Sequence, residues 1–386
     1  MKIFHCNHCQ NLVFFESFQC LNCGRTLAYL PDLQLLGSLE PVAAPETGSG
    51  SDGSFRTEAG NLWRSPIAAA QGRLYRHCSN YQLENVCNWA VAAEDPNPLC
   101  ISCRLTKVIP DLGRPGNKEA WYKMEVAKRR LVYTLLSLKL PVEPKRMETT
   151  GWPDTDPGLV FEFLADVPGA GPALTGHDNG LITINLAEAD DAEREKRRTQ
   201  LHEPYRALLG HFRHEIGHYY WDRLIAASDR LDAFRNLFGD ERANYGESLQ
   251  KYYANGAPGN WQQNFVSAYA SSHPWEDWAE SWAHYLHMLD ALETAAACGM
   301  ALKPRRADEP SMKSDARVIA NGSFDRMIRD WFPLTYALNN LNRSLGLADG
   351  YPFVLSQPAV EKLRFVHETI ERMPVSAFQP RFSGAT

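Results

Sequence analysis

No run of 18 apolar residues occurs in this 386-residue chain, so no transmembrane helix is expected. The opening "MKIFHCNHCQ" lacks a basic segment followed by an apolar one. No secretory signal is therefore expected, and the cytoplasm is the expected compartment. The chain also lacks the basic excess needed to coat nucleic acid or an anionic membrane, since its net charge is −6. Residues 147–193 contain no Lys or Arg at all, against ten Asp or Glu. Residues 71–146 lean the other way, with 13 Lys or Arg against 7 Asp or Glu. Cysteine is nearly absent after Cys103, where only Cys298 remains. No repeat longer than the cysteine pairs is visible.

What is present is ordinary in bulk. The apolar fraction is 44% and the charged fraction 22%, enough to bury a sizeable core. The length suits two or three domains. Nine cysteines in a reducing compartment point to metal ligands or buried thiols rather than disulfides.

Eight of the nine fall into two quartets. Cys6-x2-Cys9 is followed after ten residues by Cys20-x2-Cys23. Each C-x-x-C turn aims two thiolates at one point, and two turns complete a tetrahedral four-cysteine zinc site. A unit of about 30 residues needs such a staple, because it cannot bury enough apolar surface. The second quartet is looser: Cys78, Cys87, Cys100 and Cys103, with only the last pair in C-x-x-C spacing. A second structural zinc is expected there, and His77 could replace one cysteine. Cys298 is expected to be a half-buried thiol.

The organisation expected is a zinc ribbon over 1–37, a linker or surface loop over 38–74, a second four-cysteine zinc module over 75–116 and a larger domain over 117–386. Gly, Ser, Pro and Ala dominate 38–60, which suits a linker. A helix is predicted from Lys118, capped by Asn117 and closed by Pro141. Strands are predicted at 158–166 and 180–189. A long helix is predicted from about Glu203 to about Ala227, another across 267–288, and a loop of low periodicity around 300–318.

The helix near 203–227 carries His214-Glu215-Ile216-Gly217-His218, an H-E-x-x-H. Residues four apart share a helix face, so two imidazoles can hold one zinc while Glu215 reaches its water. Gly217 costs helix propensity, about 1 kcal/mol against Ala, and admits a close neighbour. His211, one turn earlier, is expected to support the site or wall the cleft. A catalytic zinc needs a third protein ligand. Glu276 and Glu280 are four apart in a periodic segment, so one could bind the metal while the other orients a histidine.

This segment resembles the gluzincin pattern of the anthrax lethal factor catalytic domain and the Mlc titration factor peptidases. There an E-x-x-A-E-like helix follows the H-E-x-x-H helix, as Glu276-Asp277-Trp278-Ala279-Glu280 does here. The resemblance implies Glu276 as ligand and Glu280 behind it, although the reverse assignment stays open. It also implies that Tyr269, seven residues before Glu276, faces the zinc-bound water. The whole chain resembles a bacterial family named as zinc-binding metallopeptidases with an N-terminal zinc-ribbon domain. The Cys6–Cys23 ribbon, "CNWAV" at 87–91, "PNPLCISCRLTKVIPDL" at 96–112 and the two segments carrying His214–His218 and Glu276–Glu280 carry this likeness.

The expected fold class is therefore α+β: zinc-ribbon modules, then a mostly helical zincin-like domain with a small sheet. The expected activity is zinc-dependent peptide or amide hydrolysis, with Glu215 as general base and Tyr269 assisting. One catalytic and one or two structural zinc ions are expected. The alternative is a protein- or nucleic-acid-binding adaptor on an inert scaffold. A peptide substrate is expected to lie along 180–187 as the edge strand. The acidic stretch 147–193 would then wall the cleft and favour basic residues, with Glu162, Asp166 and Asp178 nearest. Asp190, Asp191 and Glu193 are expected in a loop. A protein partner for the ribbon is expected, without membrane contact and without nucleic acid as the leading option.

Overall fold

Spacing within the N-terminal third is too short for long elements, and short strands fill it. The computed structural model describes residues 2–42, 61–145, 158–200 apart from 168, 170 and 172, 206–313 and 323–373. A two-stranded hairpin, β1 (Phe4–His5) and β2 (Leu12–Val13), carries the first cysteine turn. Next come β3 (Thr26–Leu30), β4 (Leu35–Pro41), β5 (Trp63–Arg64), β6 (Leu74–His77) and β7 (Ala90–Ala92), with a single helical turn α1 (Ser79–Gln82). These five strands form one antiparallel sheet in sequence order. The two cysteine units are thus not separate modules. Residues 38–41 and 63–64, expected in a linker, pair as ladder strands, while 43–60 lie outside the described residues. Tyr29, Trp89, Phe15 and Tyr133 interlock beneath this sheet, with Tyr29 and Trp89 rings 4.6 Å apart.

A second sheet is built from β8 (Thr106–Val108), β9 (Val160–Leu164), β10 (Gly176–Asp178) and β11 (Leu181–Asn185). Its order is β10-β11-β9-β8, with only β10 antiparallel to its neighbour. The strand expected at the edge, 180–187, is therefore interior and paired on both sides. The edge is β10. The reason is local: Asp178 pairs with Leu181 across a two-residue turn, Asn179-Gly180. Both turn residues have positive φ, 44° and 82°, which is the Asn-Gly hairpin preference. A Cβ on Gly180 would meet the Gly158 carbonyl oxygen at 2.2 Å.

Helices make up the rest. They are α2 (Asn117–Ser137), α3 (Asp191–Gln200), α4 (Leu208–Leu224), α5 (Leu231–Phe238), α6 (Tyr245–Asn255), α7 (Pro274–Ala297), α8 (Phe324–Ser344) and α9 (Gln357–Glu371). Three expectations shift. Gly116, not Asn117, is the N-cap of α2. Residues 203–205 lie outside the described residues, and α4 is described from Leu208. Asp191 and Glu193 open α3 rather than a loop, and Asp190 accepts from the amides of Ala192 and Glu193. Among the described residues, 298–313 form the expected irregular segment after α7, closed by a Leu302–Met312 bridge; 314–318 lie outside them.

The segment 267–288 is not one helix. Tyr269–Ser271 form a single 3-10 turn, and α7 starts afresh at Pro274. His273 caps it by accepting from the Trp275 amide at 3.1 Å, with Pro274 pre-set for the first turn. This start puts Glu276 and Asp277 in the first turn, where the helix dipole favours carboxylates.

Helices α4 and α7 form the central pair. Trp278 and Trp282 of α7 are fully buried. Trp282 stacks on Tyr220 with ring centroids 4.9 Å apart, and Trp278 Nε1 donates to the Gly217 carbonyl at 2.8 Å. The missing side chain of Gly217 permits this approach. A Cβ there would lie 3.0 Å from the Ala279 Cα and 3.2 Å from the Trp282 Cβ.

Candidate metal centres and cleft

The helix pair brings two distant segments to one place. His214 Nε2 and His218 Nε2 are 3.2 Å apart on the shared face of α4. Glu276 Oε2, from the first turn of α7, is 2.9 Å from the first and 3.6 Å from the second. Glu276 is 1% exposed, and among the described residues this oxygen has no hydrogen-bond partner of good geometry. An orphaned buried carboxylate oxygen facing two imidazole nitrogens is costly unless a cation sits between them. All three atoms lie within 4.8 Å of one another, so the donor set fits zinc.

Glu280 takes a different position. Its Oε1 is 2.8 Å from His214 Nδ1, and its Oε2 accepts from Ser267 Oγ at 2.5 Å. It therefore holds the imidazole from the side opposite Glu276. Tyr245 does the same for the carboxylate, donating its hydroxyl to Glu276 Oε1 at 2.7 Å. Tyr245 was not singled out from the sequence, because nothing near the N-cap Asn244 signals it.

The three residues open into a cleft of about 410 Å³. Glu215 lines it, and burial pushes the Glu215 carboxyl above its usual range. Tyr269 lines it too, with its ring 5.9 Å from the His214 ring. Burial, reinforced by the Glu276 charge, holds the Tyr269 hydroxyl protonated. The opposite wall is the β10 hairpin: His177, Asp178 and Asn179. His177 stacks on His218 at 6.2 Å, and its Nε2 accepts from the Gly180 amide at 2.9 Å. Burial pushes its pKa down to about 3, so the neutral ring carries its proton on Nδ1. The "DNG" turn was the signal that could have found this wall.

Other expected residues lie elsewhere. His211 turns to Glu188, 3.3 Å away, rather than into the cleft, and burial pushes its pKa down to about 4. Of the acidic stretch, only Asp178 lines the cleft among the described residues. Glu162 pairs with Lys107 at 3.0 Å, and Asp166 accepts from Asn185 and the Ala173 amide. Glu188 pairs with Arg197 and Arg206. Glu148, Asp154 and Asp156 lie outside the described residues. The wall is thus less acidic than expected, because most of these carboxylates already have partners.

Both cysteine quartets close. Cys6, Cys9, Cys20 and Cys23 form one cluster; Cys78, Cys87, Cys100 and Cys103 form another, entirely buried. Sulfur–sulfur distances of 3.5 to 3.7 Å far exceed a disulfide bond. They suit the edge of a tetrahedron with metal–sulfur bonds of about 2.3 Å. In the second cluster, amides of Cys100 and Cys103 donate to Cys78 and Cys100 sulfurs. Arg129, 1% exposed, lies close enough for Cys87 and its neighbours to hold its charge against the cost of burial. His77 is no substitute ligand. Its ring is sandwiched between Trp63 and Tyr81, and burial pushes its pKa down to about 4. Cys298 is exposed rather than half-buried.

Two four-cysteine clusters and a third of two histidines and a glutamate, on an α+β frame, define a zinc-binding protein. Residues 117–369 match the family model described as "putative zinc-binding metallo-peptidase", and the chain belongs to that family. Residues 3–114 match a zinc-ribbon domain model that spans both quartets. Uncharacterized proteins of Mycobacterium tuberculosis and Mycobacterium bovis are 40% identical over 387 residues, covering all of both chains. No solved structure matches. Among the described residues no helix is long and apolar enough to cross a membrane.

Proposed function

We propose that the chain is a zinc-dependent peptidase of the gluzincin kind, hydrolysing peptide or amide bonds. The observation that carries this reading is the meeting of His214, His218 and buried Glu276 in a cleft that Glu215 also lines. Zinc held by those three residues would supply Lewis acidity and an acidified water. Glu215 would take the water's proton and pass it to the leaving amine. Tyr269, kept protonated, would donate to the developing oxyanion. Tyr245 and Glu280 would hold Glu276 and His214 in place.

A substrate strand would add to the free edge of β10. Asp178 and Asp222 line the cleft, and no Lys or Arg does so among the described residues. Basic side chains near the scissile bond would be favoured. A protein partner of the ribbon would meet Leu12, Phe14 and Leu21, apolar side chains left 52%, 73% and 95% exposed.

The test is a peptide library incubated with zinc-loaded protein at low and high salt and read by mass spectrometry. Cleavage by the wild type and its loss in Glu215→Gln, with zinc retained, is the expected result. Zinc retention without any cleavage by the wild type would favour an inert scaffold carrying a binding ribbon. A cleavage profile indifferent to basic residues would remove the charge preference alone.

A further inference from the structure

We propose that a second cavity, remote from the His214, His218 and Glu276 cluster, binds a phosphoryl group. It lies where the ends of α4 and α9 meet the turn before α5, and its volume, about 570 Å³, exceeds that of the cleft. The two spaces share the last turn of α4: Asp222 lines the cleft and Arg223 the second cavity.

Among the described residues its lining holds three arginines, Arg223, Arg230 and Arg372, against one carboxylate, Asp229. Arg230 is the informative one. It is only 8% exposed, and its guanidinium lies 4.1 Å from the centre of the Phe365 ring. One end is held loosely: Nη2 is 3.4 Å from the Phe365 carbonyl and 3.6 Å from Glu368, a carboxylate that is itself nearly half exposed. Its Nε is buried and makes no hydrogen bond among the described residues. A buried cation normally finds a close, well-aligned anion. Burial and then the neighbouring Arg372 push the Arg230 pKa down by more than Glu368 and Asp229 hold it up, so the nearby carboxylates among the described residues do not offset the crowded cations.

The ligand class follows from the donors. Guanidinium forks match oxyanions in pairs of parallel hydrogen bonds. A carboxylate offers two oxygens, which one fork satisfies. A phosphoryl group offers three and a larger charge, so it can engage several arginines at once.

The test is calorimetric titration of the zinc-loaded full chain with inorganic phosphate, with acetate as comparator. Saturable phosphate binding is expected, weakened roughly tenfold or more in Arg372→Gln, the loss of one charge-assisted fork. Arg372 is exposed, so this variant keeps the test alive should Arg230→Gln fail to fold. Binding should persist in His218→Ala, which disables the cleft cluster. Three results would overturn the proposal: no saturation by about 10 mM phosphate, binding lost in His218→Ala but kept in Arg372→Gln, or acetate binding as tightly as phosphate.

Discussion

Glu280 Oε1 and His214 Nδ1 sit 2.8 Å apart, while Glu276 Oε2 faces the other nitrogen of the same ring at 2.9 Å. One imidazole thus faces carboxylates a helical turn apart on its two sides, hydrogen-bonded to Glu280 and turned toward the unpartnered oxygen of Glu276. The two glutamates should be separable by experiment. Glu276→Ala should strip zinc from the cluster, because a direct donor is gone. Glu280→Ala should weaken zinc by about 10–100-fold, the usual cost of losing an orienting partner. Competition with a chelating dye measures both. Loss of metal in Glu280→Ala but not in Glu276→Ala would reverse the roles.

Gly217 tests the helix pair that creates the site. Ala would gain about 1 kcal/mol of helix propensity. Its methyl would meet the Ala279 Cα at 3.0 Å, and overpacking costs about 1–3 kcal/mol. Gly217→Ala should therefore lower the Tm and weaken zinc, since α7 carries Glu276. A raised Tm with unchanged zinc would show that the helices yield without cost.

Lys362 tests the buried charge behind α7. Its Nζ lies 2.5 Å from Asp277 Oδ2 and donates to the Asn264 carbonyl at 2.8 Å. Neither side chain is appreciably exposed. Lys362→Met should cost about 3–5 kcal/mol by leaving Asp277 alone in the interior. Adding Asp277→Asn should recover much of that loss. Chemical denaturation reads both, and a double variant no better than the single would sink the pairing argument.

Metal content tests the three clusters together. Metal analysis should find about three zinc ions per chain, with one lost in Cys9→Ser and one in Cys103→Ser. Four thiolates on one zinc would leave excess negative charge, and buried Arg129, whose charge Cys87 and its neighbours favour, would offset it. Arg129→Met should therefore release the second ribbon zinc to chelator faster than the first. Equal release rates would remove Arg129 from that role.

The sequence by itself determined the pieces whose geometry is local. A C-x-x-C turn and an H-E-x-x-H helix face are set by a few bonds and a rise of about 1.5 Å per residue, so their donors converge whatever surrounds them. The α+β class followed from periodicities of the same short range. Tertiary structure decided the rest. Only strand order makes β10 an edge and places 181–185 between neighbours. The ladder from Leu35–Pro41 to Trp63–Arg64 and the bridge from Tyr29 to Trp89 join both quartets to one sheet. Only the crossing of α4 and α7 at Gly217 separates Glu276 from Glu280, and only the placement of α6 brings Tyr245 to Glu276. Arg223, Arg230 and Arg372 meet at a cavity although Arg372 lies far along the chain from the other two. Such meetings depend on packing summed over many distant contacts, and residue spacing does not encode that sum.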